Sequence, residues 1–263
     1  MYNLIPSRNK IFVTTNINEN IVDDSIKQNI NNLLNINNIT IVSISNKKLI
    51  VIYNNKINII NNHNIQFISK SISNNKIITE IIYVNEIPYK IKRHLNSFVQ
   101  PDNTIRFLIH NTIYRFVSNY IFVSKIKLCL GVFIGGEMYI YGKILNNFVK
   151  NKIYYSDYES LIFDAQLNDS QLNKYYLIDY QNPQCLDKIK ENNSIIICNV
   201  SKSGLGKNLC KQLNNIKNKY LILIECSIKA LNNDLLDLYN YNILYKFKYF
   251  TNYEIFIIIL IFQ

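Results

Sequence analysis

Cys226 closes the stretch ILIECSIKALNNDL, Ile222 to Leu235, where an apolar run stops at Glu225-Cys226-Ser227 and a helix-like segment follows. The thiolate is the nucleophilic form of cysteine, and it forms more readily at a partly exposed strand end near positive charge than in a sealed core. Glu254 is the only acid after Asp237 and precedes the wholly apolar IFIIILIF; by position alone it reads as a charge at a strand edge. Three more residues close apolar runs: Asn199 in NSIIICNV, Asp157 in KIYYSD and Gly131 at the end of KIKLCLG. An acid after the second strand of a doubly wound sheet binds ribose hydroxyls of nucleoside cofactors, and a plain turn aspartate is the alternative. Gly131, Gly135 and Gly136 read as a loop between strand and helix, GVFIGG, although the GxGxxG spacing is missing.

The elements that must position these residues follow from periodicity. From about 104 onward, apolar strands alternate with helices: KIKLCLGVF, KIYYSD, KYYLIDY, NSIIICNV, KYLILIEC and the terminal EIFIIILIFQ, with helices at 205–216 and 228–239 among them. That alternation predicts a mostly parallel sheet covered on both faces, with ligands beyond the carboxyl ends of its strands. TIRFLIHNTIYRFVSN reads as a helix capped by Thr104. Residues 11–90 carry short Ile/Val/Tyr/Phe runs separated by Asn clusters, and DDSIKQNINNLLNI has helical spacing with Asp24 or Ser25 as cap. This part reads as α+β and mainly antiparallel. The predicted division is an α+β region at 1–103 and a doubly wound, Rossmann-like α/β domain at 104–263.

Composition narrows the partners. The formal charge is +11, from 29 basic and 18 acidic residues, which suits a polyanion such as RNA or DNA. The abundance of Asn, Ile, Lys, Tyr and Phe also fits an AT-rich coding bias, which would raise Lys without a partner. Five cysteines occur with no CxxC pair, so disulfide frameworks, zinc ribbons and cysteine-held iron–sulfur clusters lack their spacing. Cys129, Cys198 and Cys210 read as core, and Cys185 as a loop residue. A reducing cytoplasm fits this usage. The apolar run at 255–262 is far shorter than the roughly 20 residues of a membrane helix. His94 and Arg93 are candidate phosphate contacts, with ordinary surface roles an equal alternative.

Four segments, NSFVQPDN (96–103), SKSGLGKNLCKQL (201–213), IECSIKALNNDL (224–235) and FTNYEIFIIIL (250–260), stand in an order that resembles the uracil-5 RNA methyltransferases. The nearest branch is the tRNA (uracil-5-)-methyltransferases, whose NSFxQPN element is nearly reproduced. SRNKIF (7–12) resembles that family's early RNK element. The resemblance implies an S-adenosylmethionine-dependent α/β Rossmann-like domain and methylation of uridine C5 in tRNA, at the T-loop uridine. It also implies roles: Cys226 as nucleophile, Glu254 as base, and Gln100, Gly131, Asp157 and Asn199 on the cofactor. Phe98 would lie near the base, and Lys202, Arg8 and Lys10 would contact RNA. NVSKSGL stands where the family has DPPRSGL, ECS where it has SCN, and Lys127 where an acid opens the first cofactor loop. An rRNA uridine methyltransferase and a catalytically impaired RNA-binding or folding homologue are the alternatives. The expected protein is a cytoplasmic monomer with no metal and no membrane association.

Overall fold

The structure, a computed structural model, describes residues 77–263 apart from 95–96, 101, 123–127, 170–172, 181, 183, 190–192, 201 and 251–253. Before residue 77 it describes only the backbone of five strands: β1 (Asn3–Pro6), β2 (Ile11–Thr14), β3 (Ile39–Ser45), β4 (Lys48–Tyr53) and β5 (Ile65–Ser69). β2 to β5 coincide with the predicted runs, whereas β1 lies before them. β1 pairs with β2 and β3 with β4 antiparallel, in keeping with a mainly antiparallel region, while β4 and β5 pair parallel. The helix expected after Asp24, and the candidate RNA contacts Arg8 and Lys10, lie outside the described residues.

A hairpin, β6 (Ile77–Val84) and β7 (Ile87–His94), turns through Asn85 and Glu86, both with positive φ. Helix α1 (Asn103–Arg115) follows and runs on into a π-helical turn, Phe116–Phe122. Its cap is Asp102, not Thr104: the Asp102 carboxylate accepts from the backbone N–H of Thr104 and Ile105 at 2.8 and 3.1 Å. An ionised oxygen is the stronger acceptor for these orphan donors, and it also meets the positive end of the helix dipole.

The rest of the chain is built around one seven-stranded sheet. Its strands are β8 (Leu128–Gly135), β9 (Val149–Ser156), β10 (Lys174–Leu177), β11 (Ser194–Asn199), β12 (Tyr220–Glu225), β13 (Tyr241–Phe250) and β14 (Glu254–Phe262). The helices are α2 (Met138–Ile144), α3 (Glu159–Asn168), α4 (Gly206–Asn215) and α5 (Ile228–Asp237). The spatial order is β10-β9-β8-β11-β12-β14-β13, which is 3-2-1-4-5-7-6 when numbered from β8. β8 to β12 are parallel, and β14 runs antiparallel between β12 and β13. The residue types explain the order of burial. SIIICN and YLILIE are buried at every position because both faces of a central strand are covered. One face packs Phe133, Tyr154, Ile197, Ile222 and Ile257 under α1 and α2, and the other packs Val132, Tyr155, Cys198, Leu223 and Ile258 under α4 and α5. β13 was not expected as a strand. It lies at an edge, where YNILYKFKYF alternates polar and apolar residues.

The hairpin is tied to the sheet domain by charge. Arg106 of α1 grips the Glu80 carboxylate with two nitrogens at 2.7 and 3.1 Å, and Arg93 reaches Glu80 at 3.2 Å. Arg93 is buried, so its expected surface role fails: its guanidinium is needed inside, opposite Glu80. No helix among the described residues is long and apolar enough to cross a membrane.

Candidate functional site

Because β8 to β12 run the same way, their carboxyl ends form one rim, and the start of the antiparallel β14 joins it. The chain leaves β8 toward β9 on one side and returns to β11 on the other, so the rim has a switch point between β8 and β11. Gly135 ends β8 with φ +84°, and a Cβ there would run into the Asn199 carbonyl oxygen. Gly136 donates its N–H to that same oxygen at 2.7 Å. A Cβ on Gly136 would lie 2.6 Å from the Phe98 ring, so glycine is what lets the half-exposed Phe98 rest on this turn. Gly131 is elsewhere. It sits inside β8, opposite Ile195 and Lys152, not in the loop where the sequence reading placed it. The strand simply continues through it, since Val132, Phe133 and Ile134 are all fully buried sheet residues.

The next residue, Glu137, is fully buried and left-handed, φ 54°. Its carboxylate accepts from Arg106 Nε at 2.7 Å and from the Gln100 backbone N–H at 3.3 Å, and faces His110 Nε2 at 3.5 Å. Burial opposes this charge, but Arg106 and His110 outweigh it and hold the Glu137 carboxyl below its usual range. The contact also seats the buried Gln100 beside the turn. Asn199 is buried at the end of β11 and donates from Nδ2 to the Tyr141 hydroxyl at 3.0 Å.

Asp157 follows β9 directly and is exposed. Partial burial and the neighbouring carboxylate of Asp179 push it up from its ordinary value. Asp179 was not singled out in the sequence; its only signal was a position just past the β10 run, in LIDY. An exposed carboxylate here accepts hydroxyl or amino donors from a ligand.

Cys226 is the residue after β12 and is half-buried. Burial pushes its thiol up, Glu225 adds to that, and the Lys202 ammonium acts in the opposite direction. Lys202 is exposed on the loop after β11. Cys226 packs on the cluster beneath α1 and α2. Glu254 starts β14 on the same rim, since the ladder pairs Glu225 with Phe256 and so brings Glu254 level with Ser227. Alternation along the strand puts Glu254 on the Phe256 face, opposite to that of Cys226. Its carboxylate is ion-paired with Lys248 at 2.7 Å. Cys198 and Cys210 are buried as expected, Cys129 was read as core but is only half-buried, and Cys185 lies in a turn as read, though buried. Among the described residues no group of metal-ligating side chains is assembled.

No protein-family model matches this sequence, and no curated protein matches it. Solved structures do. A Pyrococcus abyssi tRNA (uracil-54, C5)-methyltransferase in complex with S-adenosyl-L-homocysteine superposes with a TM-score of 0.58 at 15% identity, over 86% of this chain and 60% of that one. The chain thus spans only 60% of that protein's length. The N-methyltransferase NodS from Bradyrhizobium japonicum WM9 superposes with a TM-score of 0.50 at 9% identity, over 62% of this chain and 99% of that one. At these identities the likeness is one of fold. With the 3-2-1-4-5-7-6 sheet and its switch-point rim, it shows that residues from β8 onward adopt the α/β, Rossmann-like fold of S-adenosylmethionine-dependent methyltransferases.

Proposed function

We propose that this protein is an S-adenosylmethionine-dependent methyltransferase that modifies uridine C5 in tRNA, at the T-loop uridine. The observation that carries the proposal is the shared rim: Cys226 and Glu254 stand on adjacent strands, and Asp157 and the Gly135–Gly136 turn lie on the same edge. The donor set fits the cofactor. Asp157, raised in part by the charge of Asp179, is an acceptor that ribose hydroxyls would satisfy, and Gly135 and Gly136 keep the turn at the switch point free of side chains. When bound, S-adenosylmethionine supplies the methyl group. Gln100 and Asn199 would complete its surroundings; no role on the cofactor is proposed for Gly131.

The protein's own residues act on the base. Cys226 thiolate forms an S–C6 bond, and the π electrons of C5–C6 move to C5, which can then accept a methyl group. Glu254 takes the C5 proton, the double bond re-forms, and the thiolate leaves. Glu254 must approach from the other face of the strand, so its Lys248 partner has to yield. Phe98, half-exposed over the turn, offers a ring on which an extruded base can stack. Residues 1–103 would present the RNA and 104–263 the chemistry.

The test is a denaturing gel with 5-fluorouridine tRNA and cofactor, because fluorine blocks the proton-removal step. The unmutated protein should form a covalent adduct and Cys226→Ala should not. On ordinary tRNA, Glu254→Gln should accumulate a methylated adduct. Equal trapping by Cys226→Ala would show that another residue is the nucleophile. Nucleoside mass spectrometry of tRNA and rRNA separates the two RNA substrates.

A second reading is an impaired homologue that binds or folds RNA. Two observations favour it: the Cys226 thiol is pushed up, and Glu254 is occupied by Lys248. Calorimetry that finds no S-adenosylmethionine binding by the unmutated protein would select it.

A further inference from the structure

Next to Cys226 in the chain, on the opposite face of β12, lies a feature that the proposed chemistry does not use. Glu225 is 1% exposed at the end of β12, and no donor reaches either of its carboxyl oxygens among the described residues. Its neighbour is Asp234 of α5, 2% exposed, which already accepts from the backbone N–H of Leu205 at 2.6 Å and of Gly206 at 3.3 Å. Burial pushes the Asp234 carboxyl up, but those two donors favour its anion, a support that Glu225 lacks. Two buried carboxylates side by side cannot both ionise cheaply, and the missing donor is a proton on Glu225.

We propose that Glu225 and Asp234 form a one-proton acid pair that sets the reactivity of Cys226, making Glu225 a positioning residue for the nucleophile. The proposal rests on the reading of Cys226 as nucleophile only for its consequence in catalysis; control of the thiol stands apart from it. While Glu225 carries its proton, the pair has a single negative charge and Lys202 can favour the thiolate. When that proton leaves, a second charge appears one residue from the sulfur, and the thiolate is disfavoured. Burial, with Asp234 next, pushes the Glu225 carboxyl up to about 8, so its proton is lost in the alkaline range in which thiols ionise. Other groups facing the pair are Cys198 of β11, Cys210 of α4 and Asp237 of α5. From β14, Phe256 stands opposite Glu225 and Glu254 lies further along the same face, ion-paired with Lys248 of β13, whose ammonium is 5.5 Å from the Phe256 ring. Asp234 also holds the start of α4, following the loop that carries Lys202, so the pair links nucleophile and cation through one buried contact.

The experiment is the pH dependence of Cys226 alkylation by iodoacetamide, read as the modified Cys226 peptide by mass spectrometry. Glu225→Gln keeps the shape and a donor toward Asp234 but cannot ionise. It should alkylate several-fold faster than the unmutated protein between pH 8 and 9, with a simple one-group profile. The unmutated protein should show a shallower rise across the same range, and this second measurement needs no variant. Superimposable profiles, or a one-group profile in the unmutated protein, would overturn the proposal. Altered alkylation without any 5-fluorouridine adduct would support thiol control while sinking the nucleophile reading. An adduct with superimposable profiles would do the reverse.

Discussion

Asp157 and Asp179 illustrate how far single residues can be read. Asp157 was legible because it closes an apolar run, and a strand-end acid has a defined use in this class of sheet. Cys226 and Asn199 were legible for the same reason. Asp179, Glu137 and Glu225 were not, because their significance lies in what they face across the fold: another carboxylate, a buried guanidinium, a second buried acid. If Asp157 accepts from ribose, Asp157→Ala should weaken S-adenosylmethionine binding by about 1.5–3 kcal/mol, roughly tenfold to a hundredfold in Kd. The pH dependence follows from the direction of its shift. Asp157 is raised, so it should protonate, and binding should weaken, at milder acidity than an ordinary aspartate would require. Asp179→Asn removes the repelling charge and should move that midpoint to lower pH. Calorimetric titrations of the three proteins across the acid range check both statements.

At the scale of elements, the turn after β8 and the hairpin before α1 depend on the same buried charges. Glu80 is held at about 2 by Arg106 and Arg93 against the cost of its burial. A lowered carboxyl stabilises the fold fully above its unfolded value of 4.5 and loses that contribution as pH falls toward 2. Glu225 has the opposite sign. Its folded value of about 8 lies above the unfolded 4.5, so its contribution to stability declines as pH rises through that window. Urea denaturation should therefore find Glu80→Gln destabilised by about 3–5 kcal/mol near neutrality, since two guanidinium groups lose their carboxylate. Glu225→Gln should instead be more stable than the parent at pH 8 and should flatten the decline. Gly135→Ala should lose stability whatever the pH, because φ +84° is strained for any side chain and the Asn199 carbonyl blocks the space. The same turn explains a misplacement. In LCLGVFIGG every position of the strand is apolar or small, so hydrophobicity cannot mark where the strand ends, and Gly131 was read as the loop. β13 escaped for a different reason: an edge strand needs only one buried face, and its lysines broke the apolar run.

For the molecule as a whole, alternation of strands and helices fixed the class of sheet but not its order. Nothing local in EIFIIILIF says that it inserts antiparallel between β12 and β13. That insertion is what brings Glu254 to the rim of Cys226, so the candidate pair could be named from motifs but not placed from them. The charge of the whole chain is the remaining global feature, and +11 has two origins that one measurement separates. Among the described residues the interior takes up Asp102, Glu137, Asp164, Glu225 and Asp234 against Arg93, Arg106 and Lys152. The described surface is thereby left richer in base than in acid. If that excess meets RNA phosphates, each neutralised phosphate releases counterions, and log affinity for tRNA should fall linearly with log salt. Lys202 is exposed on the loop next to Cys226, so Lys202→Ala should weaken binding at all sequences and reduce the slope by about one. Arg8 and Lys10, proposed from the sequence alone, should each act alike if they touch phosphate. Filter binding across a salt series measures the slopes. A flat response in the unmutated protein would assign the charge to coding bias. A steep one left unchanged by Lys202→Ala would place the RNA away from the rim, and with it the proposed approach of uridine to Cys226 would fall.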